Sequence, residues 1–218
     1  MKIYYGLIGA GGFGREVMSL AQLQLYDELY AGGAELFFVV ENIKNPMTVN
    51  HYPVISLEDF LCLPAPRRFN IAIGNSAVRK RIADICLDNG AVPFSVRAGN
   101  VVIMDANRIG DGAILSPFVT ITSNVEVGVF FHANLYSYIA HDCVIGDFVT
   151  FAPSVKCNGN VVIEDYAYIG TGVTIKEGKK GSPLKIGRGA VIGMGAVVTK
   201  SVPPGVTVIG NPARPMES

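Results

Sequence analysis

The chain has 218 residues, half of them hydrophobic, which is enough for one large or two small domains with a sizeable core. Its 18 basic and 18 acidic residues cancel, and this balance argues against nucleic acid or an anionic membrane as the main partner. The four cysteines show no paired motif, which is typical of a reduced, cytoplasmic protein. No signal peptide and no apolar run of membrane length is apparent.

The first part of the chain alternates predicted strands with predicted helices, a pattern typical of a parallel α/β sheet. Strands are predicted at Ile3–Ile8, Leu36–Val40, Val54–Ile55, Phe69–Ile73 and Val92–Val96. Helical segments are predicted from Arg15 to about Tyr30, over Ser56–Leu61 with Ser56 as the cap, and from Gly74-Asn75-Ser76 through Asn89. We therefore predict an α/β domain over residues 1–95, about half of a full dinucleotide-binding fold.

A glycine-rich loop joins the first predicted strand to the first helix. Residues Gly9-Ala10-Gly11-Gly12-Phe13-Gly14 match G-x-G-x-x-G, in which glycines let the backbone approach a phosphate at a helix N-terminus. NAD binding is the ordinary interpretation, but Glu41 follows the motif by about 30 residues, farther than usual. Nothing downstream suggests a hydride-transfer site. One nucleotide diphosphate fits better, and the alternative is that the glycines serve only a tight turn.

The second part of the chain has an apolar residue at every sixth position from Ile103 to Ile175. A period of six fits neither a helix nor a plain strand. It predicts a triangular prism of short parallel strands over residues 96–218, in which three hexads form one coil and there are about six coils. Glycines and small residues are expected at the corners. The period stops at Lys176–Lys185 and resumes at Ile186, so this segment is predicted to bulge from a corner.

The hexads have the form Ile-Gly-x-x-Ala/Val-x, and the tail contains Gly210-Asn211-Pro212-Ala213. Both resemble the left-handed β-helix acyltransferases. Together with Gly9–Gly14, Ala72-Ile73-Gly74-Asn75…Arg79 and Ile139–Gly146, they resemble the sialic acid O-acetyltransferase family of sugar acyltransferases.

The resemblance implies an α/β N-terminal half-Rossmann domain followed by a left-handed parallel β-helix. It also implies a cytoplasmic homotrimer with acetyl-CoA in the clefts between prisms. The implied reaction is N-acetylation of a nucleotide-linked 4-amino-4,6-dideoxyhexose, in O-antigen or glycan synthesis.

Acetyl transfer from a thioester to an amine needs a neutral amine, a base, and a donor to the thioester oxygen. His141, followed by Asp142 and close to a predicted corner, is the expected base, and Asp142 would orient the imidazole. The family's base falls on the same pair. A positioned amine can attack directly, so Ser137 and Cys143 are interpreted as packing residues. His132, which has no such context, is expected to be structural or exposed.

The resemblance also implies the binding residues. For the nucleotide sugar these are Gly9, Gly11, Gly12, Phe13, Gly14, Glu41, Asn42, Gly74, Asn75, Arg79 and Asn134. For acetyl-CoA they are Thr150, Gly159, Thr171, Arg188 and Arg214, and no metal is expected. Three positions depart from the family pattern: Phe13 and Thr150 replace histidines, and Glu41-Asn42 replaces an acidic pair. The missing acidic pair favours dTDP or UDP over GDP.

Three other functions compete with this one. O-acetylation of a sugar hydroxyl is not separated from N-acetylation by the sequence. A γ-type carbonic anhydrase shares the prism but needs three histidines on its metal, and the prism has only His132 and His141. The third possibility is a non-catalytic nucleotide-binding scaffold that trimerises.

Overall fold

The computed structural model describes residues 2–43 and 47–216. The chain forms two compact units, Met1–Arg97 and Ala98–Ser218, whereas the sequence places the boundary after residue 95. Within the described residues, every helix is too short or too polar to cross a membrane.

The first unit is built on a six-stranded sheet with the order β3-β4-β2-β1-β5-β6. The strands are β1 Ile3–Ile8, β2 Ala34–Val40, β3 Met47–Val49, β4 Tyr52–Ser56, β5 Arg67–Ile71 and β6 Val92–Pro93. Neighbours pair in parallel except β3 and β4. The buried central strand β1 lies between β2 and β5, with Gly6 opposite Phe37 on one side and Phe69 on the other. The prediction of a parallel α/β sheet is confirmed.

The helices of this unit differ from the predicted ones at their ends. They are α1 Gly12–Gln24, α2 Tyr26–Tyr30, α3 Leu57–Cys62 and α4 Ser76–Asp88. The single helix predicted from Arg15 to Tyr30 is wrong in two respects, because α1 begins at Gly12 and the helix is interrupted at Leu25, whose ψ is 12°. The predicted cap is confirmed, since the Ser56 hydroxyl accepts a hydrogen bond from the Asp59 N–H at 3.0 Å.

Two strand predictions in this unit also need correction. The β3–β4 hairpin was missed; its turn residues Asn50 and His51 have φ of 47° and 71°, as in a tight hairpin turn. The strand predicted over Val92–Val96 is split into β6 and β7 (Val96–Arg97), because the chain leaves the β5 edge after Pro93.

The second unit is a left-handed parallel β-helix with three faces, as predicted. The first face contains β8 Val102–Ile103, β11 Thr120–Ile121, β14 Tyr138–Ile139, β17 Lys156–Cys157, β20 Thr174–Ile175 and β23 Val197–Val198. The second contains β9 Arg108–Ile109, β12 Glu126–Val127, β15 Val144–Ile145, β18 Val161–Ile163 and β21 Leu184–Ile186. The third contains β10 Ile114–Leu115, β13 His132–Ala133, β16 Thr150–Phe151, β19 Tyr168–Ile169, β22 Val191–Ile192 and β24 Thr207–Ile209, and β25 Arg214–Pro215 pairs antiparallel with β24.

The hexad period corresponds to the inward positions of these strands. From Leu115 to Ile175 every leading residue is buried, whereas Ile103 and Ile109 in the first coil are half-buried. Partner residues in adjacent coils are 18 apart, as for Ile145 and Ile163. Three hexads therefore close one coil, and the interior is filled by the leading side chains.

The prediction of glycines and small residues at the corners of the prism is confirmed only in part: Ala106, Gly112, Ser154 and Gly172 occupy corners, but so do several aromatic residues. From Ile103 to Ile169, the residue three places after each leading residue has positive φ, and Phe118, Phe130, Tyr136, Phe148 and Tyr166 occupy such positions. This backbone region costs roughly 1–2 kcal/mol for an L-residue. Stacking between coils offsets this cost: the Phe130 and Phe148 rings lie 5.2 Å apart at 12°, and Phe148 and Tyr166 lie 5.6 Å apart at 4°.

The glycines that follow the leading residues serve a close approach between coils. A Cβ on Gly128 would lie 2.2 Å from Asp147 Oδ1, the atom that accepts a hydrogen bond from the Val129 N–H at 2.9 Å. Glycine at position 128 therefore leaves room for the Asp147 carboxylate of the next coil to accept a hydrogen bond from the backbone of this coil.

The predicted bulge at residues 176–185 is present. Ile163 pairs with Ile186, 23 positions on, so the bulge adds five residues to the usual spacing of 18. Lys179 and Ser182 exchange two backbone hydrogen bonds at 3.1 and 2.8 Å, which closes the bulge as a small loop.

Candidate active site

His141 and Asp142 lie at the edge between the first and second faces, directly after β14. Asp142 has φ of 58°, a conformation that aspartate and asparagine tolerate better than most residues. The Asp142 N–H donates to Ser123 O at 3.1 Å, and His141 O accepts from the Asn160 N–H at 3.0 Å. The turn is thus attached to the coils on both sides.

The imidazole of His141 has different partners on its two nitrogens. Nδ1 lies 2.8 Å from Asp142 Oδ2, and the carboxylate can only accept, so Nδ1 carries the proton. Nε2 of the neutral ring is then an acceptor, and it lies 3.7 Å from Glu177 Oε1. Both side chains of the His141–Asp142 pair are half exposed. The pair therefore presents a basic nitrogen to an accessible surface.

Electrostatics favour the protonated form of His141 and the ionised form of Asp142. The hydrogen bond to Asp142 raises the pKa of His141, and the charges of Asp142 and Glu177 act in the same direction. The hydrogen bond from His141 lowers the pKa of Asp142, with further contributions from Asn124 and Lys180. His141 thus has a raised pKa, as suits a group that exchanges protons near neutrality.

Gly159, predicted to contact acetyl-CoA, lies in the next coil directly against the His141 ring. A Cβ built on Gly159 would lie 2.5 Å from His141 Cε1. The absence of a side chain at Gly159 is therefore what leaves room for the imidazole in its observed position.

In the first unit, the glycine-rich loop and the loop after β5 lie side by side. The glycine-rich loop follows β1, and the other loop follows the neighbouring parallel strand β5. The chain then continues from β1 to β2 and from β5 to β6, which lie in opposite directions along the sheet. Open α/β sheets bind ligands in the crevice at such a switch point. A Cβ on Gly9 (φ 107°) would lie 2.9 Å from Ala72 O, which shows how closely the two loops approach.

The glycines of this loop divide into two kinds. Gly9 has positive φ, and a Cβ on Gly14 would lie 1.8 Å from Gly9 O, so these two shape the turn. Gly11 and Gly12 face open space at the start of α1, which has neither a side-chain cap nor an acidic residue in its first turn. The positive end of α1 is thus open to an anion. Phe13, beside them, is half-buried.

Three further predicted substrate residues lie on the loop after β5 or in α4. Gly74 faces open space, whereas Asn75 is the cap of α4, its Oδ1 accepting from the Val78 N–H at 3.0 Å. Arg79 is fully buried, and its Nη1 donates to Ile73 O at 2.7 Å and to Gly74 O at 3.3 Å. Burial lowers the pKa of Arg79 to about 9. The side chains of Asn75 and Arg79 thus hold the loop in shape.

Glu41 and Asn42 border a cleft of about 470 Å³. The other lining residues are Leu57, Glu58, Leu61, Cys62, Ile85 and Asn89. Glu41 forms an ion pair with Arg81 at 2.7 Å. Half of the lining residues are apolar and half are polar or charged.

The remaining predicted residues of the second unit do not gather around His141 within one chain. Asn134 lies at the edge between the third and first faces, where its Nδ2 donates to Phe151 O at 2.9 Å. Thr171 is exposed at the same edge, and Thr150 is buried in β16 on the third face. Arg188 pairs with Asp165 at 2.7 Å and lies over the Tyr166 ring, and Arg214 is exposed in β25.

Three neighbours of the His141–Asp142 pair were not singled out from the sequence. Asn124 lies one coil before Asp142 and hydrogen-bonds to it, and its offset of 18 residues is a signal that could have found it. Glu177 and Lys180 belong to the bulge, whose irregular sequence carries no such register. His132 is buried, which agrees with the first of the two expectations for it, a structural rather than an exposed residue. Among residues 2–43 and 47–216, no group of three or more His, Cys, Asp or Glu is placed to hold a metal ion.

The chain is similar to known proteins along nearly its whole length. The model of the PglD N-terminal domain matches residues 6–86. GDP-perosamine N-acetyltransferase of Escherichia coli O157:H7 is 51% identical over 214 residues, covering 98% of this chain and 96% of that protein. The structure of WeeI from Acinetobacter baumannii AYE is 51% identical with a TM-score of 0.93, covering 99% and 100%. The acetyltransferase domain of PglB from Neisseria gonorrhoeae FA1090, in complex with acetyl coenzyme A, is 26% identical with a TM-score of 0.84, covering 99% and 100%.

A left-handed β-helix with a His–Asp pair on one edge, preceded by a half-Rossmann unit, defines an acyltransferase of the hexapeptide-repeat class. The match along nearly the whole chain to an N-acetyltransferase agrees with this class. The chain belongs to the family of hexapeptide-repeat sugar acyltransferases that contains these relatives.

Proposed function

We propose that the protein transfers the acetyl group of acetyl-CoA to the 4-amino group of a GDP-linked 4-amino-4,6-dideoxyhexose such as GDP-perosamine. The observation that carries this proposal is the 51% identity, over 98% of the chain, to GDP-perosamine N-acetyltransferase. The choice of GDP replaces the preference for dTDP or UDP that the missing acidic pair suggested. The product would serve O-antigen or glycan synthesis in the cytoplasm.

The first unit would hold the nucleotide. Its support is the open N-terminus of α1 beside Gly11 and Gly12, which suits a diphosphate. Glu41 and Asn42, which line a cleft of mixed polarity, would contact the nucleotide base.

In the second unit the neutral amine would attack the thioester carbonyl carbon. His141 Nε2 would accept the amine proton as the C–N bond forms, while Asp142 holds the Nδ1–H and balances the imidazolium charge. The tetrahedral intermediate would then break its C–S bond, and the coenzyme A thiolate would take the proton from His141. Gly159, beside the imidazole, would offer its N–H to the thioester oxygen. No covalent enzyme intermediate is needed.

The proposal includes a homotrimer with acetyl-CoA in the clefts between neighbouring prisms. Its support is the distribution of the predicted residues. Asn134 and Thr171 lie at a different edge from His141, so they can reach the same acetyl transfer site only from a neighbouring chain.

The decisive experiment incubates the protein with acetyl-CoA and a panel of GDP-, UDP- and dTDP-linked 4-amino sugars and follows coenzyme A release. Mass spectrometry of the product should show one acetyl group on the amine of the GDP sugar. Preferred turnover of a UDP or dTDP sugar would contradict the proposed guanine nucleotide. Acetylation of a hydroxyl alone would contradict the proposed N-acetylation. Light scattering should give three times the chain mass.

A further inference from the structure

The bulge at residues 176–185 holds Glu177 in a defined place beside His141. The Gly178 N–H donates to Gly159 O at 2.9 Å, and the Leu184 N–H donates to Asn160 O at 3.2 Å as the chain returns. A Cβ on Gly178 would lie 2.0 Å from Asn160 O, so only glycine permits this departure from the coil. The backbone at Glu177 is therefore attached to the coil that also carries Gly159.

The Glu177 carboxylate lies on the reactive side of the imidazole. Asp142 occupies the Nδ1 side at 2.8 Å, whereas Glu177 Oε1 lies 3.7 Å from Nε2, the nitrogen that must meet the acceptor. Glu177 is 58% exposed, so its oxygens are open to a ligand. No other partner of the Glu177 carboxylate is recorded among the described residues.

The charges next to the imidazole are carboxylates, whereas lysines surround Glu177 on the bulge. Asp142 and Glu177 flank the two sides of the ring, and the charge of Lys180 in the bulge acts on Asp142, whose pKa it lowers. Glu177 also lines a hollow of about 530 Å³, together with Lys176, Lys179 and Lys200. The charged group beside Nε2 is nevertheless the Glu177 carboxylate, at 3.7 Å.

We propose that Glu177 binds the protonated amine of the acceptor and so makes the enzyme select amines over hydroxyls. The inference rests on the proposed function and deepens it. An aliphatic amine is mostly an ammonium at neutral pH, and a carboxylate forms a charge-assisted hydrogen bond with it that a hydroxyl cannot match.

Two protons must leave the acceptor nitrogen during acetyl transfer from the bound ammonium. The ammonium bound at Glu177 loses one proton to solvent and becomes the neutral amine. The second proton passes to His141 Nε2 as the C–N bond forms, and the coenzyme A thiolate receives it when the C–S bond breaks. Glu177 thus holds the acceptor nitrogen next to the base without itself forming a covalent bond.

The test compares Glu177→Gln with the wild-type protein. Glutamine keeps the size of the side chain and removes the charge. The KM for the GDP-amino sugar should rise about tenfold, the lower end of what a hydrogen bond to a charged group contributes. The inhibition constant of the matching GDP sugar with a 4-hydroxyl group should stay unchanged. Glu177→Asp, which keeps the charge on a shorter side chain, should recover part of the loss.

Asp111→Asn is the matched control, because it removes an exposed carboxylate from a different edge of the same prism. Its KM should equal that of the wild type. The thermal midpoints of all variants are compared, so that a folding defect is recognised separately.

Three results would overturn the inference. They are an unchanged KM in Glu177→Gln, an equal shift for the amine and the hydroxyl compound, and a change confined to the pH dependence of kcat. A wild-type protein that acetylates no amine would instead refute the proposed function, and it would do so before any variant is compared.

Discussion

The imidazole of His141 fills the space that a side chain on Gly159 would need. An ideal Cβ on Gly159 would lie 2.6 Å from His141 Nε2 and 3.0 Å from Nδ1, well inside van der Waals contact. The two residues are 18 apart, one coil above the other, so this contact follows from the period of the fold. The position of the His141 ring is therefore determined as much by a missing side chain as by Asp142.

Gly159→Ala should displace the imidazole with little effect on folding. The new methyl group forces the ring away from its position, and a misplaced catalytic group can cost about 10²-fold in rate. We expect kcat to fall by about this factor. The control is Gly99→Ala, where a Cβ would meet nothing within 4 Å. Equal activity of the two variants would show that the ring tolerates displacement.

His141→Asn should remove the base and leave substrate binding nearly intact. General-base catalysis is worth about 10²–10⁴-fold, so kcat should fall within that range. Calorimetry should give an unchanged Kd for the nucleotide sugar. His51→Asn is the control, since His51 is exposed in the β3–β4 turn with φ of 71°, which asparagine accepts. A fully active His141→Asn would rule out the mechanism.

Asp142→Asn should move the acid limb of the kcat/KM profile to lower pH. The active form of His141 is neutral, so activity falls as the pH drops through the pKa of His141. Asp142 raises that pKa above the ordinary 6.5, and its neutralisation lowers the pKa again. Asparagine is chosen because position 142 has positive φ. An acid limb that does not move would mean that His141 is not the titrating group.

Arg79→Met should destabilise the first unit and loosen the nucleotide site. The guanidinium is buried and donates to the carbonyls of Ile73 and Gly74, so its removal leaves buried acceptors unsatisfied. We expect a loss of about 3 kcal/mol in the free energy of unfolding. The nucleotide affinity should fall as well.

Arg81→Met is the matched control for Arg79→Met. Arg81 makes an exposed ion pair with Glu41, which should contribute less than about 1 kcal/mol. Urea unfolding of both variants gives the comparison. Similar losses would show that the buried contacts of Arg79 are not special.

The period of six was sufficient to predict the prism, its core and the place of the bulge. Inward residues such as Ile139 and Ile145 repeat because each coil must fill the same interior. The corners were not predictable in the same way. Phe130, Phe148 and Tyr166 accept a strained backbone because their rings stack between coils, and local propensity contains no term for a partner 18 residues away.

Candidate site residues could be named from the sequence only where they follow a motif. His141 and Asp142 were identified from adjacent letters, and the glycine loop from its spacing. Arg79 was expected to contact the substrate, but its side chain is buried under the loop. A sequence motif identifies the residue type at a position and does not give the direction of its side chain. Glu177 was missed because the insertion breaks the register that relates one coil to the next.

The chain departs from the prism at Gly178 and re-enters at Leu184, and the coils beyond it stack as before, with Ile169 opposite Ile192 and Ile175 opposite Val198. The bulge can therefore be replaced by another loop without changing the coils on either side. Loops of other lengths and charges could be grafted between these two points while His141, Asp142 and Gly159 keep their places. Acceptor preference in this fold would then be open to redesign separately from the chemistry of acetyl transfer.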